Sequence, residues 1–199
     1  MYWGMAVLLL IGAQSSAVAI RHVTVIDVVS GQRHAGWTVL VRGSRIVAVG
    51  PDAEIGVPHG ASVVEGRGRY LIPGLWDMHT HVKNDSLTSR IAVPLLVASG
   101  VTGVRDMAAR LEVILPWRDS IRAHLLLGPR AVVSGPAIDG VPPATEGDIT
   151  VRTPDEARRA VDSLANAGVD FIKAYEMLRR EQLIALVDEA RRHHLVVAG

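Results

Sequence analysis

The sequence predicts an α/β protein in two parts, a small β unit followed by a parallel sheet with helices between its strands. Three observations carry this. Between Ile20 and Pro73, short β-rich runs are broken by glycine. After Pro73-Gly74, apolar strand-length runs alternate with helix-length segments, the texture of βαβ units. Thr153-Pro154-Asp155-Glu156 then combines a capping Thr, a Pro at the first helical position and a Glu at the third.

The first twenty residues hold no Lys or Arg, and an apolar run from Met5 to Ile11 leads to Ala17-Val18-Ala19. This resembles a secretory signal over residues 1–19 with cleavage after Ala19, hence an exported protein, periplasmic or secreted. The run is too short for a bilayer span, which needs about 20 apolar residues. The missing positive charge leaves a misassigned start or a buried terminal strand as competing readings, in which case the protein is cytoplasmic.

The β unit, residues 20–73, is expected to be antiparallel, with strands over Val23–Val29, Trp37–Arg42, Arg45–Val49 and Ser62–Glu65, and a hairpin at Gly43-Ser44. The second part, residues 74–199, is expected to place strands at Leu75–His81, Val101–Asp106, Arg130–Ser134, Val169–Ala174 and Leu195–Ala198. A helix from Pro154 packs through Ala157, Ala160, Val161, Leu164 and Ala165 and stops at Gly168. The next, over Arg180–His193, is expected to pack through Leu183, Ile184, Val187 and Ala190. The Pro- and Gly-rich stretch Gly135–Thr150 reads as a long loop after the third strand, either a wall of a site or a surface excursion.

Composition narrows the function. With 49% apolar residues, 21 Lys+Arg against 20 Asp+Glu and a net charge of +1, the chain has a core-forming composition and no basic stripe for a phosphate backbone, so nucleic acid is not an expected partner. Without cysteine, any metal must sit on His, carboxylate or a modified Lys.

The sharpest chemical feature is Asp77-Met78-His79-Thr80-His81 at the end of a predicted strand. Alternate strand residues share a side, so His79 and His81 face the same way, about 6–7 Å apart along the chain, and imidazole suits zinc and similar ions. Alone, a His-x-His pair more often has a structural role. Lys173 follows Val169, Phe171 and Ile172, where burial would lower its pKa and favour a neutral amine able to take up carbon dioxide. The competing reading is a lysine laying its stem over the core. Arg105 and Asp106 close the second barrel-type strand, either supporting a site or pairing at its rim, and Tyr175 lies on the side of Lys173, for substrate or for packing. His22, His34, His59, His124, His193 and His194 are not assigned to metal, and His124 is placed in a helical segment.

Leu71 to Val82, reading Pro-Gly-Leu-x-Asp-x-His-x-His, resembles the opening metal motif of the amidohydrolase superfamily. Gly100-Val101-Thr102-Gly103-Val104-Arg105-Asp106-Met107 looks like its second barrel strand and Gly168-Val169-Asp170-Phe171-Ile172-Lys173 like its fourth, while Val23–Gly50 is similar to its small β-sandwich domain; the combination points to the imidazolonepropionase-like and prolidase-like branch. The resemblance implies an incomplete (β/α)8 TIM-type barrel reaching into its fifth strand at Gly199. It implies a divalent metal pair, two zinc ions, held by His79, His81 and a carboxylated, bridging Lys173. The family's general-base aspartate lies beyond Gly199, so no catalytic residue is expected within 1–199. The implied activity is hydrolysis of a C–N bond in a small amide, dipeptide or cyclic amide, with this chain an inactive fragment of that enzyme. The alternative is a non-catalytic exported module that binds metal or a partner through His79 and His81.

Overall fold

The computed structural model describes residues 17–81 and 86–199. The apolar run Met5–Ile11 lies outside these residues, but Ala17, Val18 and Ala19 open the first strand, and Ala17 and Ala19 are buried. Cleavage after Ala19 would therefore remove the start of a sheet strand. The chain divides between Pro73 and Gly74 into two compact units.

The first unit is one five-stranded sheet built from β1 (Ala17–Ile26), β2 (Arg33–Arg42), β3 (Arg45–Pro51), β4 (Ser62–Glu65) and β5 (Tyr70–Leu71). Its order is β3-β2-β1-β4, with β5 also on β1. The three leading strands are antiparallel, as expected, but β4 and β5 run parallel to β1, so the unit is mixed. The reason is a crossover: the stretch from 52 to 61 carries the chain past β2 to the far side of β1. Among the described residues this unit has no second sheet to make a sandwich. β1 stops at Ile26, short of the expected Val29, because the Asp27 carboxylate accepts the Val29 and Ser30 N–H groups and turns the chain, leaving Val28 and Val29 exposed.

The second unit contains β6 (Leu75–Thr80), α1 (Ser86–Ala98), β7 (Val101–Asp106), α2 (Leu111–Arg122), β8 (Arg130–Val133), β9 (Ile138–Asp139), β10 (Ile149–Thr150), α3 (Pro154–Ala167), β11 (Ile172–Lys173), α4 (Arg180–Arg192) and β12 (Val197–Ala198). β6, β7 and β8 form a parallel sheet in chain order, and β11 pairs parallel with β12. The Asp170 N–H donates to Val133 O at 2.8 Å, continuing the succession from β8 toward β11. No barrel closes among the described residues.

Local chemistry accounts for the joins. Gly103 in β7 lets the Trp76 indole of β6 lie directly on the backbone, since a Cβ there would overlap that ring and force it to move. Arg118 of α2 is buried and donates to Gly168 O at 2.7 Å and Asp170 Oδ2 at 3.1 Å, while the same Oδ2 accepts the Val133 N–H at 3.0 Å. One carboxylate thus fastens α2, β8 and the approach to β11.

α3 begins and ends where its residues require. Thr153 Oγ1 accepts the Glu156 N–H at 3.2 Å, Pro154 occupies the first turn, and Gly168 adopts φ 85°. α4 is rotated somewhat from the expected face: Val187 and Ala190 pack inward as expected, but Gln182, Ala185, Leu186 and Glu189 are buried too, whereas Leu183 and Ile184 are 40% and 47% exposed. Gln182 decides this by holding α4 at both ends of its amide, accepting the Arg179 N–H at 2.7 Å and donating to Val151 O at 3.2 Å. The small Ala185 and Ala190 join the core shared with α3. His124 lies just past α2 at φ 59°, outside the helix in which it was expected.

Candidate metal centre

β11 sets the position of Lys173 by simple alternation. Ile172 and Ala174 enter the core with α3 and α4, so Phe171, Lys173 and Tyr175 turn to the opposite side of the strand. There Lys173 is 4% exposed, with Nζ 5.0 Å from the centre of the Tyr175 ring. It does not lie snorkelled toward solvent.

β6 presents the imidazoles. The His79 N–H donates to Asp77 Oδ1 at 3.0 Å, and the ring centres of His79 and His81 lie 5.3 Å apart. His81 Nδ1 is 3.4 Å from Ala108 O; a proton on Nδ1 directed to that carbonyl leaves Nε2 with the free lone pair. Thr80 between them donates to Arg105 O at 3.1 Å, fixing the β6 end against β7.

His79, His81 and Lys173 line one cavity of about 460 Å³ with Met107, Ala108, Arg110, Pro136, Asp148 and Tyr175. Both imidazoles are exposed into it, and the amine forms part of its buried wall. Burial, and next the Arg105 guanidinium, push the Lys173 ammonium below the usual lysine range, with Asp148 opposing. Two imidazoles and a buried amine brought to one cavity are a donor set suited to a divalent metal ion.

The remaining expected residues separate. Tyr175 reaches the cavity. Arg105 does not: its Nε donates to Met78 O at 2.7 Å and its guanidinium stacks 5.7 Å from the Phe171 ring centre. Asp106 is completely buried at the end of β7. Ser134 Oγ lies 3.4 Å from its backbone carbonyl.

Sequence reasoning missed the acids of the loop over 135–150. Asp139 is fully buried and accepts the Gly140, Ala144 and Met177 N–H groups at 2.8, 2.7 and 2.7 Å. It ties this loop to the segment after β11. Asp148 stands in the cavity wall, its carboxyl pushed up by burial and then by Asp139. The sequence left the loop open between a site wall and a surface excursion, and it did not show which acids turn inward, because no regular spacing governs it.

Apart from this cavity, Asp162, Glu189 and His193 come together between α3 and α4. Here His193 Nε2 meets Asp162 Oδ1 at 2.7 Å, while Arg192 and Arg158 lie 3.1 and 3.9 Å from Glu189. The guanidinium groups already neutralise that acid.

No protein-family model matches the chain. An adenine deaminase from Rubrobacter xylanophilus is 36% identical over 92 residues, which is 46% of this chain and 15% of that protein. One from Mesorhizobium japonicum is 32% identical over 93 residues, again 15% of its length. The crystal structure of a putative prolidase from Bifidobacterium longum superposes with TM-score 0.79 at 30% identity, covering 92% of this chain and 49% of that one. These likenesses support the amidohydrolase superfamily. Phenylurea hydrolase B shares the fold at TM-score 0.78 and 24% identity. The chain thus spans about half of each of these solved superfamily structures and aligns with about a seventh of the deaminases. No described helix is long and apolar enough to cross a membrane.

Proposed function

We propose that this chain carries the first part of a metal-dependent hydrolase site acting on C–N bonds of small molecules, and an incomplete TIM-type barrel. The observation that carries the reading is the convergence of His79, His81 and Lys173, from two separate strands, on one cavity. His79 and His81 hold the ion through ring nitrogens. Lys173, whose burial disfavours the ammonium form, would add carbon dioxide at Nζ with loss of a proton, and the resulting carbamate would supply anionic oxygens to a divalent metal centre. A divalent ion held there supplies Lewis acidity toward an amide or amidine carbon and toward water. Ala108 O orients the His81 ring, Asp77 holds the backbone N–H of His79, and the apolar Met107, Ala108 and Pro136 limit the water around them.

Both kinds of relative are named for breaking a C–N bond: the deaminases at an adenine amine, the prolidase at a peptide bond. The substrate is accordingly a small amide, a dipeptide or a nucleobase amine. Adenine, which releases ammonia, and a proline dipeptide, which releases proline, separate the two when assayed on a protein extended to the length of its relatives. On the chain itself, zinc uptake in bicarbonate buffer tests the ligand set. Lys173→Ala is expected to lose at least half of the bound zinc and His79→Ala with His81→Ala nearly all of it. Unchanged uptake in both would defeat the proposal.

A further inference from the structure

Asp148 Oδ2 is shielded from solvent and has no hydrogen-bond partner, yet it belongs to the wall of the cavity that holds His79, His81 and Lys173. Buried carboxylate oxygens are ordinarily paired, so an unpaired one beside a ligand-sized space calls for an explanation.

Loop freedom does not supply it. The Ile149 N–H donates to Ala137 O and the Val151 N–H to Asp139 O, both at 2.8 Å, and β10 pairs with β9 directly after Asp148. Asp139, with its three backbone N–H partners, fixes the other side of the same loop. The carboxylate is therefore presented by a braced segment. The neighbouring guanidinium groups are engaged elsewhere, Arg105 with Met78 O and Arg110 with Glu112 at 3.1 Å, which leaves Lys173 of the same wall as the cation whose charge Asp148 feels. The other acid of this wall, Glu146, is exposed and can be satisfied by water.

We infer that Asp148 forms a substrate subsite, its free oxygen accepting an N–H of a cationic amine or amidine group on a ligand whose scissile bond faces His79 and His81. The inference rests on the hydrolase reading of this cavity and adds to it the chemical class of the group recognised. A complementary N–H donor removes the unsatisfied acceptor on binding, whereas a carboxylate in the same place meets a like charge.

Benzamidine and benzoate, matched in size and opposite in charge, are the probes. Their binding to the full chain is measured by ligand-observed NMR, with zinc content determined on the same samples. The parent chain is expected to bind benzamidine in preference to benzoate. Asp148→Asn should weaken benzamidine binding about tenfold, as expected for loss of a hydrogen bond to a charged group, and leave benzoate unchanged or tighter. Glu146→Gln serves as a control for the general field of the cavity and should retain most of the preference. Asp148→Ser provides a second variant should the Asn form fail to fold. Equal affinities in the parent, an undiminished preference in both Asp148 variants, or an equal loss in Glu146→Gln would each overturn the subsite. A preference for benzamidine without zinc uptake would keep the subsite and defeat the metal reading; zinc uptake without the preference would do the reverse.

Discussion

Asp148 and Lys173 are held in places that disfavour their charged forms, and each leaves a pH signature. For Asp148 the folded carboxyl titrates above the ordinary 3.8, so between that value and the raised one the native state binds more protons than the unfolded chain. Its contribution is present below pH 3.8 and is lost as pH rises through the folded value. Asp148→Asn, which cannot ionise, should therefore melt at a higher temperature than the parent at pH 7, with the advantage vanishing in acid. A lower melting temperature at pH 7 would contradict this. For Lys173 the folded amine titrates below 10.5, the native state binds fewer protons across that interval, and stability rises with pH through it. Lys173→Met should accordingly stabilise the metal-free chain at neutral pH while abolishing metal uptake. That His79 and His81 face one way was readable from strand alternation, whereas the lysine was singled out by the resemblance together with its buried setting. Asp139 and Asp148 were not, since their placement depends on loop hydrogen bonds between residues far apart in sequence.

At the scale of elements, the boundaries set by local chemistry were readable and the faces set by neighbours were not. α3 starts at Pro154 and ends before Gly168 because its cap and stop signals lie within the helix's own sequence. Thr153→Ala is expected to cost about 1 kcal/mol by denaturant unfolding. α4 was read half correctly by its apolar pattern: Val187 and Ala190 pack as expected, but Leu183 and Ile184 stay outside while Gln182, anchored to Arg179 N and Val151 O, turns inward with Ala185 and Leu186. The same limit hid Arg118, a charged residue on α2 whose role appears only when Gly168 and Asp170 are beside it. Arg118→Met leaves the Asp170 carboxylate without its buried cation and should destabilise the second unit by about 3 kcal/mol. A loss below 0.5 kcal/mol on the same measurement would show that the pair is not holding these elements together.

For the molecule as a whole, division at Pro73-Gly74 and the parallel succession of strands followed from the change in texture along the sequence, whereas the parallel strands of the first sheet required knowledge of a crossover. β6 leaves Leu75, Trp76 and Met78 between 43% and 49% exposed at the edge of its sheet, an arrangement that favours self-association. Light scattering should show concentration-dependent oligomers that decline when Met78 is replaced by Lys. The account as a whole depends on Lys173 and the two histidines sharing one ion-binding cavity. Carbon-13 NMR of the chain in labelled bicarbonate, with zinc added, tests that directly. A single carbamate resonance that appears only with zinc, and is absent from Lys173→Ala and from the double variant His79→Ala, His81→Ala, is the predicted result. Zinc bound with no carbamate signal, or a signal indifferent to the histidines, would contradict it.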